Sequence, residues 1–161
     1  MAHNILIRRA SAVDLPAMAR IMADNFDHAM PEHSPAIREK FKAHCSVAAL
    51  QAQLDWKEVF VVSEDMAVVG TGALANFGTP DLPKWSVSNF FIAPEAHGRG
   101  YGRLLLSHLI TLVRKKGASE LHVPSSLTAI GFYRKYGFVA ADCQSPEDTA
   151  DEITWMTKRL A

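Results

Sequence analysis

Residues 97 to 102 read His-Gly-Arg-Gly-Tyr-Gly and lie between a β-favouring run closed by Pro94 and a strongly helical run that starts at Leu104. Alternating glycines permit positive φ, so several N–H groups turn into one concavity that no Cβ obstructs. The helix that follows adds the positive end of its dipole. Strand, glycine loop and helix in this order make a cradle for a diphosphate-like anion, and Arg99 and Arg103 add charge beside it. By itself the cluster also reads as a turn that merely joins two elements. Two familiar cradles fail on spacing: GxGxxG needs glycine where Arg103 stands, and GxxxxGK with a following Ser or Thr needs a lysine and a hydroxyl after Gly102.

The elements around the loop follow from periodicity and caps. Ile5 to Ile7 read as a strand, and Ser11-Ala-Val-Asp14 resembles a capping box before a helix that buries Leu15, Met18 and Met22. Ser34-Pro35 starts a second helix carrying Ile37 and Phe41, with a restart at Ser46 that uses Leu50 and Leu54. Val59 to Val62 and Ala67 to Gly70 flank Glu64-Asp65 as a hairpin whose second strand continues to Ala75. Trp85 to Ile92 is a strand, and Leu104 to Lys116 a helix closed by Gly117. Leu121 to Val123 is a short strand stopped by Pro124, Ser126 caps a helix through Tyr136, and strands follow at Gly137 and at Ile153 to Met156. The order β-α-α-β-β-β-α-β-α-β-β specifies a mixed α/β fold: one central mixed sheet of six to seven strands flanked by about four helices.

At 161 residues the chain suits one domain, read as 1–161, with one active site. Lys plus Arg equals Asp plus Glu at 17 each, so no global field favours nucleic acid or an acidic membrane. Cys45 and Cys143 form no CxxC pair, and no run of about eighteen apolar residues exists to span a bilayer. With no leader-like segment after Met1, the expected address is the cytoplasm, with both thiols reduced.

The stretch Ile92-Ala-Pro-Glu-Ala-His-Gly-Arg-Gly-Tyr-Gly-Arg-Leu-Leu-Leu106 resembles the acyl-coenzyme A signature of the GNAT superfamily of N-acetyltransferases. Its core is Arg or Gln, two residues, Gly, one residue, then Gly or Ala. A second family element appears downstream, where Ala129-Ile-Gly-Phe-Tyr-Arg-Lys-Tyr-Gly-Phe138 is similar to A-x-x-F-Y-x-x-x-G-F. The resemblance is close over residues 85 to 142 and rests elsewhere on element order. It implies acetyl-CoA as co-substrate, a primary amine on a small molecule or peptide as acceptor, and the diphosphate held by His97, Gly98, Arg99, Gly100, Tyr101, Gly102 and Arg103. His97 departs from the family's Arg or Gln, and Ser126 stands where many relatives have Asn near the pantetheine arm. A homodimer is a common arrangement in such families.

Acyl transfer to an amine needs a neutral nucleophile, a polarised carbonyl and a protonated leaving thiolate; an alkylammonium of pKa ~10 is mostly charged at neutral pH. The resemblance places Tyr133 beside the sulfur as the acid, and backbone N–H groups near Phe91 and Ile92 at the carbonyl oxygen. It also implies that the fourth and fifth strands splay so that pantetheine pairs in the gap. No base is assigned: the fourth strand reads Val87-Ser88-Asn89-Phe90 without a carboxylate, which leaves a water held by Ser88 and Asn89, or the cluster Asp27, His28, Glu32 and His33. That cluster lacks helical zinc-pair spacing, so no metal is expected. Phe26, Met30, His33, Phe77 and Trp85 are the expected acceptor-side residues. A non-catalytic acyl-CoA sensor of the same fold and a nucleotide-binding domain are the alternatives.

Overall fold

The computed structural model describes residues 2–160. Seven strands form one sheet in the order β1-β2-β3-β4-β5-β7-β6: β1 (Ile5–Arg9), β2 (Glu58–Glu64), β3 (Ala67–Asn76), β4 (Trp85–Ile92), β5 (Glu120–Ser126), β6 (Val139–Ala140) and β7 (Ile153–Arg159). Every neighbouring pair is antiparallel except β4 with β5. The helices are α1 (Leu15–His28), α2 (Pro35–Lys42), α3 (Val47–Gln53), α4 (Tyr101–Lys115), α5 (Ile130–Lys135) and α6 (Pro146–Ala150).

Strand alternation sorts the core into two layers. On β2, Val59 and Val61 face Leu15, Met18 and Met22 of α1 and Leu50 of α3, whereas Phe60 between them packs with Leu105 and Leu109 of α4. Both sheet faces are therefore covered, which is why β2 reads as an unbroken apolar run. Leu105 and Leu109 are fully buried, each worth about 1.5–3 kcal/mol of burial. Cutting Leu109 to Ala would cost about 2–5 kcal/mol, cavity included.

The caps behave as their residue types dictate. Asp14 accepts from the N–H of Ser11 at 2.9 Å, and the Ser34 and Ser46 hydroxyls accept from Ile37 and Ala49. Asp65 and Met66, both at positive φ, make the two-residue turn between β2 and β3.

Four boundaries differ from the sequence reading. Helix α4 begins at Tyr101, because the end of the glycine loop is already its first turn. Strand β5 does not stop at Pro124 but runs to Ser126, paired with β7. β4 has left β5 there, so that side of β5 needs no N–H donor and a proline is tolerated. Ser126 consequently ends a strand, and α5 starts only at Ile130. Strand β7 continues past Met156 to Arg159, and α6 was not expected although Ser145-Pro146 repeats the Ser34-Pro35 signal; the Ser145 hydroxyl accepts from Asp148 N–H at 3.0 Å.

Candidate active site

The site is the gap between β4 and β5. They are parallel, yet their register is a single pair, Ser86 with His122, beyond which they separate. A bulge helps to turn β4 away. Against β3, Phe91 pairs with Thr71 and Ser88 with Ala73, so β4 carries one extra residue there, and Asn89 takes φ +50. Asparagine tolerates that conformation better than most residues, and its amide donates to Gln53 Oε1.

Backbone direction on β4 follows from one bond. Ala93 N–H donates to Val69 O at 2.8 Å, toward β3. Because successive N–H groups alternate sides in the regular register from Phe91 to Ala93, Phe91 N–H also faces β3 and that of Ile92 faces the gap. Of the pair expected at the carbonyl oxygen, Ile92 turns its N–H to the gap and Phe91 turns its N–H to β3.

At one end of the gap lies the glycine loop, with Gly98 at φ +77 and Gly100 at φ +88. A Cβ on either would point into open space within 4 Å, so the hollow is free of side chains. None of the backbone N–H groups from Gly98 through Arg103 has a partner among the described residues. Unpaired donors at the start of a fifteen-residue helix are what an anion requires. The cavity they open onto, about 370 Å³, is also lined by Ile92, His97, Ser126 and Tyr133.

The loop's side chains divide. Arg103 is exposed at the cavity with no ion pair among the described residues. Arg99, expected to serve the anion, is not among the lining residues: Glu64 holds its guanidinium at 2.7 Å, over the Tyr101 ring. The Tyr101 hydroxyl donates to the same carboxylate, and these two bonds, Tyr101 first, hold Glu64 below the usual carboxylate range. Tyr101 and Arg99 thus clamp the loop to β2, leaving their backbone to the hollow. His97 lines the cavity, and its Nε2 donates to Ile92 O at 2.7 Å; Asn25 Nδ2 donates to that oxygen at 2.9 Å. Both pin the end of β4.

Tyr133 on α5 is 3% exposed and sits among Phe90, Phe132 and Phe138. Its hydroxyl has no hydrogen-bond partner among the described residues, and burial raises its pKa far above the ordinary phenol value. It is therefore neutral at physiological pH and able to donate. Ser126 lies on the wall facing it; its Oγ accepts from Ala129 N–H at 3.2 Å.

Tyr133 also lines a second cavity of about 230 Å³. Phe26, Met30 and His33 contribute to it as expected, but Phe77 and Trp85 do not. Phe77 packs between Trp56 and Trp155, and Trp85 lies under the Lys116 ammonium. Within the acidic and histidine cluster, Asp27 pairs with Lys42 at 2.8 Å and Glu32 accepts from Thr128 Oγ1 at 2.6 Å, both outside the cavity. His33 is buried, its Nε2 accepting from Leu127 N–H at 3.0 Å, which leaves the proton on Nδ1 beside Glu152 Oε2 at 2.9 Å. No carboxylate of the described residues lines either cavity. Arg38, Asn25 and Phe90 carry no motif; only Asn25's helical spacing from Ile21 and Met22 marks it as inward-facing.

The family model described as the acetyltransferase (GNAT) domain matches residues 26–160. The chain belongs to the GNAT acetyltransferase family. It is 26% identical to an amino-acid acetyltransferase of Neisseria meningitidis serogroup B over 143 residues, 89% of this chain and 29% of that protein. It is 30% identical over 96 residues to the streptothricin acetyltransferase of Streptomyces lavendulae, covering 54% and 51% of the two chains. The chain spans less than a third of the first relative and about half of the second. Among solved structures, PaiA N-acetyltransferase of Thermoplasma acidophilum, crystallised with coenzyme A, superposes with a TM-score of 0.80 at 19% identity over 97% of this chain and 99% of its own. That likeness shows the GNAT fold.

Proposed function

We propose that this GNAT domain transfers the acetyl group of acetyl-CoA to a primary amine by direct attack on the thioester. The observation that carries the reading is the position of Tyr133: one buried, neutral phenol lies on the wall common to the anion-binding cavity and the second cavity. A chain that only sensed the co-substrate would need no second chamber at that hydroxyl. The names of the two relatives, both acetyltransferases, support acetyl transfer.

Bound acetyl-CoA supplies the activated carbonyl carbon and a thiolate leaving group. The free N–H groups of residues 98–103 hold the diphosphate, with Arg103 adding charge. The gap-facing N–H of Ile92 pairs with pantetheine and polarises the carbonyl oxygen. As the amine nitrogen bonds to that carbon and the carbon–sulfur bond breaks, the Tyr133 O–H gives its proton to the sulfur. The amine sheds its own proton to water beside Ser88, which lines the acceptor cavity. Free thiols at Cys45 and Cys143 fit a reducing compartment such as the cytoplasm.

Two measurements test this. Calorimetry with acetyl-CoA reports on the cradle, and release of free thiol across a panel of amines reports on transfer. Binding without amine-dependent release would reassign the chain as a sensor; absence of binding would remove the acyl-CoA reading altogether.

A further inference from the structure

The acceptor cavity contains one unneutralised cation. Arg38, on α2, lines it among Phe26, Met30, Ile37, Phe41 and Ile153. Among the described residues its guanidinium makes one hydrogen bond, a long one from Nη1 to Phe26 O at 3.4 Å, and its Nε is buried without a partner. It makes no ion pair among the described residues, and the surrounding carboxylates are committed elsewhere. Asp27 is held by Lys42, Glu32 by Thr128, and Glu152 by the Ser34 N–H and His33. A guanidinium stays charged at any physiological pH, and a partly dehydrated charge without a counter-ion is costly. That cost is removed when a ligand brings the anion. The planar fork of arginine matches a carboxylate with two parallel bonds.

We propose that Arg38 receives the carboxylate of the acceptor, which makes the substrate a free amino acid with an apolar side chain. The acyl-transfer reading, on which this rests, puts the amine at the Tyr133 end. The carboxylate then lies against α2, and the side chain lies among Ile37, Phe41 and Ile153. The polar groups at the other end, Ser88 and Ser125, carry no charge themselves, and the Lys57 ammonium beyond Ser88 is bonded to Ser88 Oγ and Gln53 Oε1 and does not line the cavity. Arg38 sets specificity and takes no part in bond making.

The test compares leucine and phenylalanine with leucinamide and phenylalaninamide as acceptors for the full chain and acetyl-CoA. The amide's amine is less basic, so more of it is neutral, and chemistry alone favours the amides. The expected result is the reverse, with kcat/KM for the acids higher on the order of 100-fold. Arg38→Met should abolish the preference by lowering the acids and leaving the amides, and Arg38→Lys should restore part of it. Thermal melting checks that each variant folds, with Arg38→Gln as substitute if Arg38→Met does not. Amides that react as well as the acids, or an Arg38→Met variant that slows both classes equally, overturn the proposal. If no amine is acetylated, the transfer reading has failed, and calorimetry of leucine against leucinamide on the CoA-loaded protein decides the question of Arg38. Leucine binding lost in Arg38→Met upholds the assignment, and no leucine binding to the wild type overturns it.

Discussion

The Lys57 ammonium donates to Ser88 Oγ at 2.9 Å, joining the chain just before β2 to the strand that walls the second cavity. It also donates to Gln53 Oε1 at 3.1 Å, yet no carboxylate of the described residues pairs with it. Burial lowers its pKa to about 8, against a small opposing influence of Cys45. Below that value Lys57 is protonated in both folded and unfolded chains, and the penalty of burying its charge is fully present. Between about 8 and the ordinary lysine value of ~10.4 the unfolded chain binds more protons, so stability rises with pH. Urea unfolding of wild type and Lys57→Met should therefore show their difference shifting in favour of the wild type as pH rises from 7.5 to 10. A pH-independent difference would mean that Lys57 is not buried as a cation.

The two arginines of the loop should separate cleanly. Arg99 is committed to Glu64, so Arg99→Ala should leave acetyl-CoA affinity within about threefold at moderate salt. Arg103 is free at the cavity, and Arg103→Ala should weaken binding roughly five- to tenfold, less so at high salt. Calorimetry at two ionic strengths reads both. Equal losses for the two variants would show that Arg99 leaves Glu64 to reach the co-substrate.

Gly100 combines φ +88 with open space where a Cβ would project. Gly100→Ala has nothing to clash with in the free protein and should lower stability by only about 1 kcal/mol, the cost of a left-handed L-residue. The methyl group would stand in the hollow, so the acetyl-CoA Kd should rise tenfold or more, about 1.4 kcal/mol per decade. Melting temperature and calorimetry on one preparation separate the two effects.

Tyr133→Phe keeps the ring that packs on Phe90 and Phe138 and removes only the hydroxyl. Turnover should fall about 10²–10⁴-fold, with acetyl-CoA affinity nearly unchanged. Since burial raises the phenol's pKa, the wild-type rate should not decline through pH 9 from loss of this proton. Undiminished turnover in the variant at every pH would remove Tyr133 as the acid.

What was legible beforehand was local. The Ser34-Pro35 cap, the capping box at Ser11 and Asp14, the 64–67 turn and the strand–glycine–helix order each depend on residues within a few positions of one another, and each appears in the fold. Tyr133 was legible through a motif, which marks the residue without showing that it lines two cavities.

The amino-acid sequence by itself determined the order of the strands and longer helices and the positive-φ glycine loop, because φ preferences, caps and hydrophobic period are properties of neighbouring residues. Tertiary structure alone decided where the charged side chains went. Arg99 lies within the glycine motif yet is drawn off by Glu64, 35 positions away, whereas Arg38 lies in no motif and is delivered to the cavity by the packing of α2 on α1. The continuation of β5 through Pro124 likewise depended on β4 having already departed. A charged side chain goes where a counter-charge and space exist, and both are set by segments far apart in the chain.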